Sequence, residues 1–559
     1  MIVKSLNKRI QQECAQVRYK NFDTTVQELT RGGKQFWKIS RHLRNSVKHN
    51  PPLEVDGNLL ISPMEKARIL ADSFSKAHNN TLPGDPITNM EVGEMVTTLS
   101  MQQNINEDWS TYSKPQEIKA IIQRLKAKKA PGIDGLKNIC LKHLPRKGLV
   151  YLTKIYNACL KLCYFPQQWK HARVIPIAKP NKDITKPVNY RPISLLSTLS
   201  KIFERVILTR LNRHLDNHEI IPNEQFGFRR SHSSNHQLVR ITNCIKKGFN
   251  ERKSTGMVML DVEKAYDTVW QEAVVYKMAK ANFPVYLTRM VHSFLKNRSF
   301  QVAVNGELSG SYPIPFGVPQ GSVLSPTLYN IYTADIIKVD GVSYAFFADD
   351  TGYFVTHRDP KVITQKLQEA QQCLEHFQKR WKIKVNAAKT QAVYFTRNRS
   401  LRLLPDVCIE VNGHHVPWDT EAKYLGLLMD SKLKFDKHIN MSLTKCDKLT
   451  RSLYALVKRQ SRLQLHNKLL LFKGVFRAVL TYGSPAWMTC AAMHRRRLQL
   501  KQNKLLKMIL NRAPWYRTED LHVEANMETV DQFINRIWEK FRASCQLSIN
   551  PLIEGILND

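Results

Sequence analysis

Two adjacent carboxylates, Asp349 and Asp350, stand in the stretch Ser343-Tyr-Ala-Phe-Phe-Ala-Asp-Asp-Thr-Gly-Tyr-Phe354, between apolar and aromatic runs. At about 4 Å and an effective dielectric near 20, two such charges repel by roughly 4 kcal/mol. Either the pair lies at an exposed turn or a cation offsets the repulsion. A third acid, Asp261, closes the apolar run Met257-Val-Met-Leu260. If the two segments are neighbouring strands, three carboxylates converge on one sheet edge. Hard divalent cations suit such a cluster, because Mg²⁺ prefers oxygen ligands and bridges carboxylates to substrate phosphates. Two ions about 3.5–4 Å apart can activate an attacking hydroxyl and stabilise a departing pyrophosphate oxygen. Each motif alone has a plainer reading. Asp-Asp-Thr-Gly is an ordinary hairpin turn, and Asp261 could cap a following helix.

The elements that must position these acids are legible in outline. Met257–Leu260 reads as a buried strand, and 346–352 as a hairpin with the Asp pair at its turn. Across 361–381, Val362, Leu367, Ala370, Leu374, Phe377 and Trp381 recur at helical spacing. Between about 172 and 429, short β-like runs alternate with amphipathic helices, an α+β pattern. Beyond Asp430 strand signals fade, and 443–480 and 493–509 read as basic amphipathic helices. A helix over 115–125 leads into the basic turn Lys126-Ala-Lys-Lys-Ala-Pro-Gly-Ile-Asp-Gly135.

Composition narrows the partner. The 559 residues carry 85 Lys and Arg against 47 Asp and Glu, a formal net charge of +38. That excess calls for a polyanion. No apolar run is long enough to span a bilayer and no signal-peptide pattern opens the chain, so nucleic acid is expected rather than a membrane. Ten scattered cysteines without a C-x-x-C pair fit free thiols in a reducing, intracellular compartment. His214 and His218 do not form H-E-x-x-H, and His414-His415 falls in an expected hairpin loop after Asn412-Gly413; neither pair reads as a zinc site.

In ordered combination the motifs resemble a reverse transcriptase. Leu260-Asp261-x-x-x-Ala265-Tyr266-Asp267, Gly317-Val-Pro-Gln-Gly-Ser-Val-Leu-Ser-Pro326 and Phe347-Ala-Asp-Asp350 resemble successive palm motifs. Trp169–Pro180 and Asn189-Tyr-Arg-Pro-Ile-Ser-Leu195 resemble its fingers. Ala130-Pro-Gly-Ile-Asp134 and Gln225-Phe-Gly-Phe-Arg229 resemble insertions of non-LTR retrotransposons, and Lys389-Thr390 and Tyr424-Leu-Gly-Leu-Leu-Met-Asp430 resemble the last palm motifs. Leu480-Thr-Tyr-Gly-Ser-Pro-Ala-Trp487 looks like the jockey-type branch.

The resemblance implies a right-hand polymerase: a basic, largely helical N-terminal extension (1–110), N-terminal motifs and fingers (111–250), a palm with an antiparallel sheet (251–430), and a helical basic thumb and C-terminal region (431–559). It implies RNA-directed DNA synthesis with two Mg²⁺ ions, Mn²⁺ being an alternative, held by Asp261, Asp349 and Asp350. Tyr266 would be an aromatic gate against the ribose 2′-hydroxyl, with Gln320, Arg191, Lys179 and Lys389 also at the nucleotide and Arg173 a rival phosphate contact. Tyr424, Gly426, Gln225 and Arg229 would contact primer or template. The implied partners are an RNA template, a DNA primer and their hybrid, and deoxynucleoside triphosphates, acting in nucleus and cytoplasm. No acid- and histidine-rich endonuclease precedes the motifs, so a polymerase portion is expected. An inactive or domesticated nucleic-acid-binding relic is the alternative; an RNA-dependent RNA polymerase is disfavoured by Tyr266 and the Gln320 context.

Overall fold

The uninterrupted apolar run Met257–Leu260 becomes the central strand of a five-stranded sheet with a helical layer on each face. The computed structural model describes residues 2–29, 32–44, 51–79, 81–101, 111–180, 182–398 and 407–557. The elements around the site begin with strands β1 (His171–Ala178) and β2 (Tyr190–Leu195), followed by helices α1 (Thr198–Asn217) and α2 (Ser234–Asn250). Strands β3 (Ser254–Asp261) and β4 (Arg298–Val304) precede helix α3 (Ser325–Tyr332). Next come β5 (Ser343–Phe347), β6 (Asp350–His357), α4 (Pro360–Arg380) and β7 (Gln391–Phe395). Three short strands close the mixed region: β8 (Trp418–Asp419), β9 (Glu421–Tyr424) and β10 (Leu427–Asp430).

The central sheet has the order β8-β7-β3-β6-β5. β3 lies in the middle, antiparallel to β6 and β7, while β8 joins β7 in parallel. Successive side chains of β3 point to opposite faces. Met257 and Met259 meet Leu238, Ile241 and Ile245 of α2 and the C-terminal helices. Val258 and Leu260 meet Ile363, Leu367 and Leu374 of α4. Each such fully buried side chain contributes about 1.5–3 kcal/mol. Gly256 lets α4 close on the sheet, since a Cβ there would lie 2.5 Å from the Ile363 side chain. A second sheet has β1 between β2, antiparallel, and β4, parallel. Helix Pro63–Ala77 covers it, with Leu70 and Phe74 buried alongside Phe300 and Val302.

Beyond β10 the described residues hold helices and no strand. The expected single helix over 443–480 is broken. Asp436–Ser452 ends, a turn at Lys458–Ser461 carries Leu463 into the core, and the chain resumes at Leu465–Leu471. A π-turn at Phe472–Phe476 then shifts the inward face so that Phe472, Val475 and Phe476 are all buried. Among the described residues no helix is long and apolar enough to cross a membrane.

One buried acid ties α1 to the loop ahead of α3. Glu204 is wholly buried and accepts hydrogen bonds from the Ser200 hydroxyl (2.9 Å), the Ser322 hydroxyl (2.6 Å) and the Val323 N–H (2.6 Å). Burial pulls the pKa of Arg298, itself 2% exposed, down to about 10, and the same carboxylate opposes that fall. Glu204→Ala would leave three donors and a buried cation uncompensated. It is expected to cost about 3–5 kcal/mol of stability, read from the urea unfolding midpoint.

Candidate active site

β3 and β6 end at the same edge, and their register sets Asp261 directly opposite Asp350. Directly opposed residues of an antiparallel pair share a face, with Cβ atoms about 4.5–5.5 Å apart. Asp350 also pairs with Phe347 of β5, so Ala348 and Asp349 form a two-residue turn between the strands. The sequence had both acids at the turn; Asp350 instead begins the strand. The three charges feel one another. Partial withdrawal from water, then Asp349 and Asp261, push Asp350 up to about 6. Asp349 is raised in the same way, by burial and by Asp261, with Arg191 pulling it back. The Lys389 ammonium lies 3.0 Å from Asp261 Oδ2.

The turn is strained and braced. Ala348 has φ 58°, a left-handed conformation that costs a residue with a Cβ about 1–2 kcal/mol. The Gln225 side-chain oxygen Oε1 accepts from the Ala348 N–H (3.0 Å) and from the Gly227 N–H (2.8 Å). Phe226 N–H donates to the Phe346 carbonyl (2.9 Å), and Phe346 N–H to that of Glu224 (3.1 Å). Gly227 packs so closely that an added Cβ would fall 2.2 Å from the Ala348 nitrogen. Gln225, expected at primer or template, is 3% exposed and committed to this brace. Arg229 spends one Nη on the Pro222 carbonyl at 2.9 Å.

The turn after β3 carries Tyr266 beside this edge. Its ring stacks on Tyr329 of α3 (5.1 Å between centroids) and meets Phe228 edge-on (6.4 Å). Burial, then the Asp349 charge, holds its hydroxyl well above the usual tyrosine range. Gln320 donates its side-chain amide to Asp267 Oδ1 (2.8 Å), and its backbone carbonyl accepts from Ser194 N–H of β2 (2.7 Å). Gly321, at φ 127°, permits that approach; a Cβ would sit 2.5 Å from the Ser194 carbonyl oxygen. Lys179 and Arg191, from β1's end and β2, face the same region. Burial lowers the Lys179 pKa, and Arg191, Lys389 and Lys264 lower it further while Asp267 opposes them. Arg173 keeps its Nε buried without a hydrogen-bond partner.

The remaining expected contacts sit in a hairpin. Leu425 and Gly426, with φ 45° and 83°, turn β9 into β10. Tyr424 is buried, its hydroxyl donating to the Ala345 carbonyl (3.1 Å), and Tyr482 supports the turn through a 2.6 Å bond to the Leu425 carbonyl. His414 and His415 lie on a strand after the Asn412-Gly413 turn rather than in a loop. Among the described residues no cluster of three His, Cys, Asp or Glu side chains is gathered tightly enough to hold a metal as it stands.

Four residues that matter here carried no assigned role in the sequence: Asp267, His78, Glu204 and Tyr482. Glu204 had a signal, since an acid stands among Phe203, Ile207 and Leu211 on the apolar face of α1. His78 had none, because its partners lie far along the chain.

Residues 177–429 match the family model of reverse transcriptase (RNA-dependent DNA polymerase). The chain is 34% identical over 446 residues to the RNA-directed DNA polymerase from mobile element jockey of Drosophila melanogaster, covering 78% of this chain and 48% of that protein. It is 31% identical over 567 residues to the protein of that name in Drosophila funebris, covering 98% of this chain and 59% of the relative. It is 32% identical over 523 residues to the "Probable RNA-directed DNA polymerase from transposon BS" of Drosophila melanogaster, covering 90% and 56%. The chain thus spans about half the length of the curated relatives it matches. The carboxylate edge, the Tyr266 turn and the Gln320 loop all fall inside the matched segment, and residues 177–429 are a domain of the reverse transcriptase family.

Proposed function

We propose that this chain is an RNA-directed DNA polymerase of a jockey-like non-LTR element, extending a DNA primer on an RNA template with deoxynucleoside triphosphates. One observation carries the reading: Asp261 opposes Asp350 across β3–β6, with Asp349 in the turn between them, inside a domain of this family. The right-hand arrangement follows, with fingers over 111–250, the palm over 251–430, a helical thumb behind it and residues 1–110 as an extension.

The donor set fits divalent metal. All three groups are carboxylates, burial and the neighbouring charges raise the pKa values of Asp349 and Asp350, and an ammonium already answers the charge of Asp261. Asp261, Asp349 and Asp350 would hold Mg²⁺ or Mn²⁺, with Lys389 withdrawing from Asp261 toward phosphate. Such ions, when bound, supply activation of the primer hydroxyl and neutralisation of charge on the transferred phosphoryl group. Arg191 and Lys179 clamp the triphosphate, Arg by its planar fork and Lys as a point charge. The Tyr266 ring, fixed by Tyr329, leaves no room for a ribose 2′-hydroxyl, and Gln320 contacts the nucleotide. Tyr424 and Gly426 shape the hairpin beside the primer, and the basic C-terminal helices follow the hybrid, so binding weakens steeply with salt.

Purified protein is expected to incorporate dTTP on poly(rA)·oligo(dT) with Mg²⁺. Asp349→Asn should lower the rate at least 10²-fold, on the scale of roughly 10²–10³ for a lost electrostatic contact, with primer–template affinity unchanged. Loss of affinity and rate together would favour a protein that only binds nucleic acid. Tyr266→Ala is expected to reduce the preference for deoxynucleotides over ribonucleotides by about tenfold or more in competition assays. Acid should weaken the metal requirement's saturation. Asp350 titrates near 6, above its ordinary value, so the metal-free cluster destabilises the fold at neutral pH and is relieved as pH falls. Metal needs the ionised form. The half-saturating Mg²⁺ concentration should therefore rise as pH drops through that value, by up to about tenfold per unit, in activity titrations.

A further inference from the structure

Asp267 is a carboxylate that the proposed reaction does not use. It is 5% exposed, in the turn that follows Tyr266. Its backbone is stitched to the loop ahead of α3. Val318 N–H donates to the Tyr266 carbonyl and Gly317 N–H to that of Val269, each at 2.7 Å. The Gln271 side-chain amide donates to the Gly317 carbonyl at 2.9 Å. His78, from the end of helix Pro63–Ala77, donates its Nδ1–H to the carbonyls of both Asp267 (3.2 Å) and Phe316 (3.1 Å). Gly317, at φ 92°, allows this contact, for a Cβ would lie 2.5 Å from the Asp267 carbonyl oxygen. Turn and loop are one rigid piece.

Within that piece the Asp267 side chain has a defined task. Its Oδ1 accepts from the Gln320 amide nitrogen at 2.8 Å. The cavity beside them, lined by His78, Ser194, Asp267 and Gln320, holds about 10 Å³. That is room for at most one water, so neither a hydrated metal nor a phosphate can be the carboxylate's partner. Burial raises its pKa, and His78, the Gln320 hydrogen bond, Lys264 and Lys179 oppose that rise. A primary amide has a donor end and an acceptor end, whereas an ionised carboxylate only accepts. With the nitrogen held on Asp267, the side-chain oxygen of Gln320 is left pointing away from that carboxylate.

We propose that Asp267 is a positioning residue for the nucleotide pocket, fixing the Gln320 amide so that its carbonyl oxygen faces the incoming deoxynucleotide. This rests on Gln320 being a nucleotide contact. Asparagine at the position could offer either end to Gln320, so the orientation would no longer be fixed.

The test compares wild type with Asp267→Asn on poly(rA)·oligo(dT). The expected result is a dTTP KM raised roughly tenfold, with kcat within about twofold and the melting temperature and primer–template affinity unchanged. Binding of dTTP to the complex with a dideoxy-terminated primer, where no turnover occurs, should weaken by the same factor. The swap Asp267→Asn with Gln320→Glu restores a donor facing an acceptor and should recover dTTP affinity to within about threefold. It carries the test if Asp267→Asn alone melts early. Unchanged dTTP affinity in Asp267→Asn overturns the proposal, as does a swap no better than the single variant. Wild-type protein that binds dTTP on the blocked primer but never extends a free one sinks the polymerase reading, while the binding comparison still decides the role of Asp267. Wild-type protein that binds no dTTP overturns both.

Discussion

Asp261 and Asp350 face each other across an antiparallel pair, and Asp349 hangs from the turn that joins β5 to β6. At about 5 Å and an effective dielectric near 20, each pair repels by roughly 3 kcal/mol. A bare hairpin would relieve that by fraying. It does not fray here because every residue of β3 from Ser254 to Leu260 is buried, with α2 packed on one face and α4 on the other. The Gln225 side-chain oxygen also holds the turn from outside, through the Ala348 N–H. The core therefore supplies the free energy that keeps the acids together, and what remains is a local excess of negative charge awaiting cations.

The opposite imbalance stands beside it. Burial lowers the Lys179 pKa, and Arg191, Lys389 and Lys264 lie near enough to depress it further. Crowded cations and crowded carboxylates side by side would neutralise each other if they touched throughout. Among the described residues, Lys389 alone lies within ion-pair distance of Asp261. The Lys179 ammonium instead donates to the Val188 carbonyl at 3.0 Å. A ligand carrying both signs, a polyphosphate with its divalent cation, satisfies both groups at once. That complementarity is a property of the site rather than of the chain-wide excess of +38.

How much of this could be read from residues alone follows from the range of the interactions. β3 was legible because Met257–Leu260 is an uninterrupted apolar run, and α4 because its apolar residues keep one helical stripe; it begins at Pro360 behind the cap Asp359. The three acids were legible as a set through the order of the motifs. The brace made by Gln225 was not legible, because its partners, Ala348 and Gly227, are backbone groups that only the folded chain brings near. The break after Ser452 was hidden because Leu453, Leu456, Val457 and Leu463 continue a plausible helical pattern. Tertiary packing, not propensity, decides that Leu463 must enter the core by a turn.

The same long-range contacts bear on where the working unit ends. The family match begins at residue 177, yet His78 holds the Asp267 turn to the Phe316 loop from far upstream. Downstream of residue 429, Tyr482 holds the β9–β10 turn, and Trp487, whose ring nitrogen donates to the Tyr482 carbonyl at 2.8 Å, packs in the core shared with α2 and β3. Cutting the chain at the matched boundaries would strip a buried donor from two carbonyls and remove the C-terminal helices that share a core with α2 and β3. Unpaired buried carbonyls cost about 1–3 kcal/mol each, and each buried apolar side chain left without that packing costs about as much again. The carboxylate edge is thus held by segments on both sides of the recognised domain, and its geometry belongs to the larger fold.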